Sequence, residues 1–240
     1  MIDRLSPSEL RHEEAGARRK GVFVHIFKCA GSTVIQQARY QLGPAAVVHV
    51  NDGNGFPRKA VAAAQKTATK LICGHFSFSR ISGAGALDHI QPFIFSVVRE
   101  PIDRVISIYD YSRMNSGAKW HSIAAKSDPD AFFSELIVRE NQMIEGHQCR
   151  FLSLDMSPTF EAARSCIEQN FDFVGRTENL AAVDEELPDW LGVQISADTV
   201  RNASASKTAI DDLGSDTRSK LEDLLAEDFK LYEYVQKTYG

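Results

Sequence analysis

The run Val22-Phe23-Val24-His25-Ile26-Phe27, cut off by Lys28 to Gly31 and followed by a helical pattern, constrains this chain more than any other feature. Its β-branched and aromatic residues suit a short buried strand. From Ser32 onward, Val34, Ile35, Ala38 and Leu42 recur at helical spacing, and Gly43-Pro44 stops the helix. The order strand, tight loop, helix then returns. Leu71-Ile72-Cys73 is a second strand ending in Gly74-His75, and Pro92 to Val98 is a third ending at Arg99. Pro101 sits where a first helical turn tolerates it, with Ile102, Val105, Ile106 and Tyr109 as the apolar stripe behind it. Asp128-Pro129 opens another helix, and Pro158 to Glu168 gives a further one. Phe171 to Val174 reads as a strand running into Gly175-Arg176-Thr177, and Ser215 to Lys237 as a long amphipathic helix. Strands alternating with helices predict an α/β fold, a mostly parallel sheet flanked by helices on both faces.

The balance of residues agrees. Of 240 residues, 43% are apolar and 25% charged, values that exclude a disordered, collagenous or disulfide-scaffold chain. Lys and Arg number 27 against 32 Asp and Glu, so the net charge of −5 argues against a nucleic-acid partner while leaving room for a local basic pocket. Residues 1–20 read as a charged lead-in without the apolar core of a secretory signal, and residues 21–240 are expected to form one domain. No stretch approaches the roughly 18 consecutive apolar residues of a membrane-spanning helix. Four cysteines, Cys29, Cys73, Cys149 and Cys166, are too few and scattered for a disulfide framework, so a reducing, cytoplasmic setting is expected. The pairs Cys73-Gly74-His75 and His147-Gln148-Cys149 lack the spacing of zinc sites, and no metal is expected. Asn51 to Gly55 and Ser82 to Gly85 read as surface loops.

In open parallel sheets, ligands collect beyond the carboxyl ends of strands, where helices begin. Lys28-Cys29-Ala30-Gly31-Ser32-Thr33 falls at such a place. Gly31 allows a close turn, the first helical amides point outward, Ser32 and Thr33 add hydroxyls, and Lys28 adds a full charge. Together they form a cradle for phosphate or sulfate, although a plain strand-to-helix turn has the same outline. The usual ATP-binding loop is laid out differently, and the chain contains no Gly-Lys dipeptide. A second cradle runs from Arg99 to Tyr109. Arg99 leaves a strand end with a planar fork of donors, and Ser107 lies two turns into the next helix. Arg104 reads as a helix-surface residue paired with Asp103 or Glu100. Two cradles at successive strand ends suggest a ligand with two separated anionic groups.

These residues are familiar in combination. Val24 to Thr33 resembles the 5′-phosphosulfate loop of the sulfotransferases, in the branch of Golgi carbohydrate enzymes such as the heparan sulfate 2-O-sulfotransferases. Arg99 to Tyr109 is similar to that family's 3′-phosphate motif, Arg-x-Pro-x-x-Arg-x-x-Ser-x-Tyr, and the two occur in the family's order. Gly74-His75-Phe76, Gln148 to Leu152, Val174 to Asn179 and Asp228 to Glu233 add further echoes, so the likeness spans nearly the whole chain. It implies a P-loop, nucleotide-kinase-like fold and transfer of a sulfuryl group from 3′-phosphoadenosine 5′-phosphosulfate to an acceptor hydroxyl or amine, without a metal. By this resemblance Lys28, Cys29, Ala30, Gly31, Ser32 and Thr33 hold the 5′-phosphosulfate. Arg99 and Ser107 hold the 3′-phosphate, and Ser204 and Lys207 belong to a late loop closing over the nucleotide. Phe27 and Cys29 stand where the family has Pro and Thr or Ser, which alters the approach to the loop. The membrane anchor of the Golgi enzymes has no counterpart here, so a soluble bacterial enzyme is expected.

Lys28 and His75 are the expected catalytic residues. Lys28 would neutralise charge on the leaving nucleotide, and His75, matching the family's histidine, would take the acceptor proton, with His121 and Glu100 in reserve. His25, within a strand, is assigned a structural role. Trp120, His121, Arg113, Gln148 and Arg150 serve equally as acceptor-cleft or packing residues. A carbohydrate, lipid or small metabolite acceptor all fit the sequence, as do two rival functions: a nucleotide-dependent kinase on the same fold, and a non-catalytic nucleotide-binding module.

Overall fold

The computed structural model describes residues 18–196 and 208–240. Five strands form one all-parallel sheet: β1 (Arg18–Val24), β2 (Val47–His49), β3 (Leu71–Gly74), β4 (Ile90–Val98) and β5 (Phe173–Arg176), in the order β2-β3-β1-β4-β5. This is the expected α/β architecture. Side chains alternate across it. Phe23, Cys73, Phe95 and Phe173 pack to one side, under α1 (Gly31–Leu42) and α9 (Leu180–Glu186). Val22, Ile72, Ile94 and Val174 pack to the other, against α2 (Phe56–Gln65), α3 (Phe78–Gly83), α7 (His147–Phe151) and α8 (Phe160–Asn170). Burial on both faces explains why the strands read as continuous apolar runs.

A third cluster lies beyond the sheet's carboxyl edge. There α4 (Pro101–Met114), α5 (His121–Ala124) and α6 (Pro129–Glu140) meet the first half of α10 (Ser215–Tyr239) around Tyr109, Phe132, Phe133 and Leu221. The second half of α10 continues onto the sheet through Leu231 and Val235. One helix thus ties the α4 layer to the strands.

Several boundaries depart from the sequence reading. β1 stops at Val24, three residues before Phe27, because the chain turns: the Cys29 amide bonds the Ile26 carbonyl at 3.2 Å. Ile26 stays fully buried outside the strand, so burial rather than ladder pairing kept the run apolar. Ser82 and Gly83, expected in a loop, end α3, whose N-cap Ser77 accepts the Arg80 amide. β2 and α2 carry weak signals. The first is three residues long, and the second buries a face made largely of alanines, Ala60, Ala63 and Ala64.

Candidate active site

Register brings the strand ends together: Val24 pairs with Gly74 on one side and with Ser96 on the other. The connections from β1 leave the sheet at this switch in strand order, where ligands gather in such folds. His25, His75 and Arg99, the residues just past these ends, line one cavity of about 420 Å³.

The loop after β1 forms its first wall. Lys28 and Ala30 hold left-handed backbone conformations, φ 69° and 51°, each costing roughly 1 kcal/mol or more in a non-glycine residue. No side chain caps α1. The Thr33 and Val34 amides turn back to the Ala30 carbonyl, leaving those of Gly31 and Ser32 without a partner among the described residues. An open helix N-terminus of this kind receives anions. Gly31 is dictated by packing, since a Cβ there would lie 1.9 Å from Nε2 of His25. His25 itself sits one residue past β1 rather than inside a strand. It lines the cavity, and burial drives its pKa down to about 2.

Lys28 has its Nζ 4.3 Å from the ring centre of Tyr111 and 5.8 Å from that of Phe27. Burial, then the nearby Arg99, lowers its pKa to about 8. The ammonium is therefore charged at neutral pH, and its positive neighbour favours an incoming anion. The Cys29 thiol points away from solvent, 3.5 Å from Oε1 of Gln148, with burial pushing its pKa up to about 12. Ser32 is exposed and Thr33 buried, and both line the cavity.

Arg99 is fixed through its backbone. Gln148 Oε1 accepts the Arg99 amide at 2.9 Å, and Gln148 Nε2 donates to the Arg99 carbonyl at 2.9 Å. Among the described residues the guanidinium makes one long contact, Nη1 to the Lys28 carbonyl at 3.4 Å, which leaves donors for a ligand. Ser107, half-buried on α4, lines the same cavity. Of the three carboxylates lining the cavity, Asp103 is exposed and the other two are tied off. Glu178 accepts from the Glu100 amide and the Thr177 hydroxyl, and Asp110 from the Thr208 amide and hydroxyl.

Gln148 is held in turn by Asp228 of α10, which accepts the Gln148 and Cys149 amides at 3.2 and 3.0 Å. Arg104 departs from its expected surface position. It is wholly buried, and its Nη2 donates to the Met143 carbonyl at 3.0 Å. The third layer and α10 cover the side of α4 that carries it. Burial lowers the Arg104 pKa and raises that of Asp228, and the opposite charge of each is the other's largest offset.

His75 Nδ1 lies 3.1 Å from the His25 carbonyl. A carbonyl only accepts, so Nδ1 carries the proton and Nε2 keeps its lone pair. Burial holds the His75 pKa below the ordinary 6.5, so the ring is neutral at pH 7. Neither reserve base is among the residues lining this cavity: His121 Nδ1 bonds the Ser112 carbonyl, and Glu100 caps α4 by accepting the Asp103 amide. A second cavity of about 490 Å³ adjoins the first, sharing Phe27, His75 and Tyr111 with it. Trp120 and Arg150 line it, whereas Gln148 is spent on Arg99.

The structure thus brings Lys28, Cys29, Ala30, Gly31, Ser32, Thr33, His75, Arg99 and Ser107 to one cavity. Ser204 and Lys207 lie outside the described residues. Sequence reasoning missed Tyr111 and Thr208. Tyr111 lies one helical turn beyond Ser107, a spacing that could have found it. Among the described residues no cluster of His, Cys, Asp or Glu is placed to hold a metal ion, and no helix is long and apolar enough to cross a membrane.

An uncapped helix start and an arginine at neighbouring strand ends, beside a neutral histidine, define an α/β protein equipped to bind anionic groups. A family model described as the sulfotransferase family matches residues 17–235, and the chain belongs to that family. The family makes it a transferase of sulfuryl groups. Comparison with curated proteins returns no significant match.

Proposed function

We propose that this protein moves a sulfuryl group from 3′-phosphoadenosine 5′-phosphosulfate to an acceptor hydroxyl. One observation carries the reading: the Lys28 loop, Arg99 with Ser107, and His75 line a single cavity. A donor with two separated anionic ends matches two separated cradles. The loop amides and Lys28 receive the 5′-phosphosulfate, and Arg99 and Ser107 the 3′-phosphate.

Sulfuryl transfer follows the logic of phosphoryl transfer, an in-line attack helped chiefly by positioning and charge stabilisation. Lys28 offsets charge on the leaving phosphate oxygen. His75 Nε2 accepts the acceptor proton while Nδ1–H stays anchored on the His25 carbonyl. Family membership and the neutral tautomer support this role. The likeness to the carbohydrate branch rests on motifs alone.

Calorimetry tests the donor site. Arg99→Ala is expected to weaken adenosine 3′,5′-bisphosphate binding well beyond its effect on adenosine 5′-phosphate, and equal weakening removes the 3′-phosphate assignment. His75→Ala is expected to lower turnover about 100-fold or more while sparing bisphosphate binding, and near-normal turnover excludes it as the base.

A further inference from the structure

The second cavity speaks to the acceptor. We infer that it takes a hydroxyl carried on a flat, largely apolar ring system rather than a sugar chain, an inference that rests on the donor reading above. Its wall is aromatic and thioether surface: Phe27, Tyr111, Trp120, Phe151, Met143 and Met156. Tyr111 and Met156 are each 37% exposed, so apolar area stands open to solvent there. At about 490 Å³ the cavity is the size of a site for one compact organic molecule.

Its polar groups do not suit a polyol. A sugar needs several hydrogen-bond partners, and an acidic sugar needs unengaged cations. The two cations present are engaged. Lys119 pairs with Glu140, and all three nitrogens of Arg150 are used, on Glu145 and the Met156 carbonyl. Two polar side chains remain, the exposed Gln142 amide and the His147 ring. His147 Nδ1 lies 2.9 Å from the Gln142 carbonyl and so carries the proton, which makes its Nε2 a buried acceptor with no partner. His147 and Gln142 both line this cavity, so it offers hydrogen bonds to few polar groups of an otherwise apolar guest.

The shared wall links the two chambers. His75 belongs to both, so a hydroxyl entering from the apolar side reaches Nε2 where the donor's sulfuryl end arrives. Phe27 replaces the family's stiff proline at this wall, with ring centres 5.5 Å from His75, 5.8 Å from Tyr111 and 6.5 Å from Trp120. In the transfer the acceptor oxygen forms a bond to sulfur, and the bond from sulfur to the bridging phosphate oxygen breaks. The hydroxyl proton passes to His75 Nε2, and adenosine 3′,5′-bisphosphate leaves with that bond's electron pair.

The test supplies the sulfate donor with naphthols and hydroxylated fused-ring compounds in one set of assays, and neutral and acidic oligosaccharides in another. Naphthol-type acceptors are expected to show kcat/KM at least about 100-fold above the oligosaccharides. Trp120→Ala should raise KM for the best ring acceptor about tenfold. Met156→Asp should do the same at an exposed position whose left-handed backbone (φ 61°) aspartate tolerates. In both variants bisphosphate affinity should stay unchanged. Oligosaccharides used as well as the ring acceptors, unchanged KM in both variants, or bisphosphate binding without transfer to any ring compound each overturns the inference. Failure of the wild-type protein to bind bisphosphate instead overturns the donor reading.

Discussion

The side-chain amide of Gln148 closes on both backbone polar groups of Arg99, at 2.9 Å on each side. A residue 49 positions later thereby fixes the direction in which the Arg99 guanidinium leaves the strand end. Gln148→Ala strands a backbone N–H and C=O in a buried place, at a cost of about 2 kcal/mol. It should also weaken adenosine 3′,5′-bisphosphate binding about tenfold while barely touching adenosine 5′-phosphate. Isothermal calorimetry with both nucleotides reads this directly, and equal losses would make Gln148 a general support rather than a guide for Arg99.

Activity should trace a bell against pH. Burial places the His75 pKa below 6.5, so the neutral base is gained as pH rises through the acidic limb. Lys28 loses its proton near pH 8, so its cation is lost as pH climbs past that point. The profile of kcat/KM for the donor, which reports the free enzyme, should fall off on the alkaline side from about pH 8. Lys28→Arg, permanently charged, should push that limb upward whatever its effect on the maximum. A wild-type rate still climbing well above pH 8 would take Lys28 out of the mechanism.

Gly31→Ala should damage the loop out of proportion to its size. The added methyl would lie 1.9 Å from Nε2 of His25. Because His25 stacks on Phe23 and packs tilted against His75, with ring centres 5.4 and 4.0 Å apart, relief by moving His25 displaces the base as well. Overpacking of this kind costs about 1–3 kcal/mol. Both donor affinity and turnover should drop, and a variant with normal kinetics would show the loop to be softer than its packing.

Removing Asp228 should be the most destabilising of these changes. Asp228→Ala abandons two amides and leaves the buried Arg104 without its opposing charge, a loss of about 3 kcal/mol or more. Asp228→Asn keeps one acceptor oxygen and should cost visibly less. Urea unfolding midpoints separate the two, and equal midpoints would mean that the charge rather than the hydrogen bonds carries the effect.

Four of the five strands and the five longest helices, α1, α4, α6, α8 and α10, are legible in the sequence because they rest on short-range signals: apolar runs, Pro101 at a helix start, Gly43 at a helix end. Arg104 was misread because helix position alone cannot reveal what packs against a face; the surrounding third layer and α10 bury it. The roles of Gln148 and Asp228 were hidden for a related reason. Both act on residues far away in sequence, through backbone groups that leave no pattern. Phe27 was visible as a departure from a motif, but its place in the wall between two chambers emerges only when Tyr111 and Trp120 are folded beside it.

Asp228 follows Gln148 by 80 residues, and its helix comes after every strand of the sheet in chain order. A growing polypeptide can pair its strands before that helix leaves the ribosome, yet the anchor behind Arg99 is still missing. The nascent protein would therefore acquire its architecture before its chemistry, competence arriving only once that helix has been made.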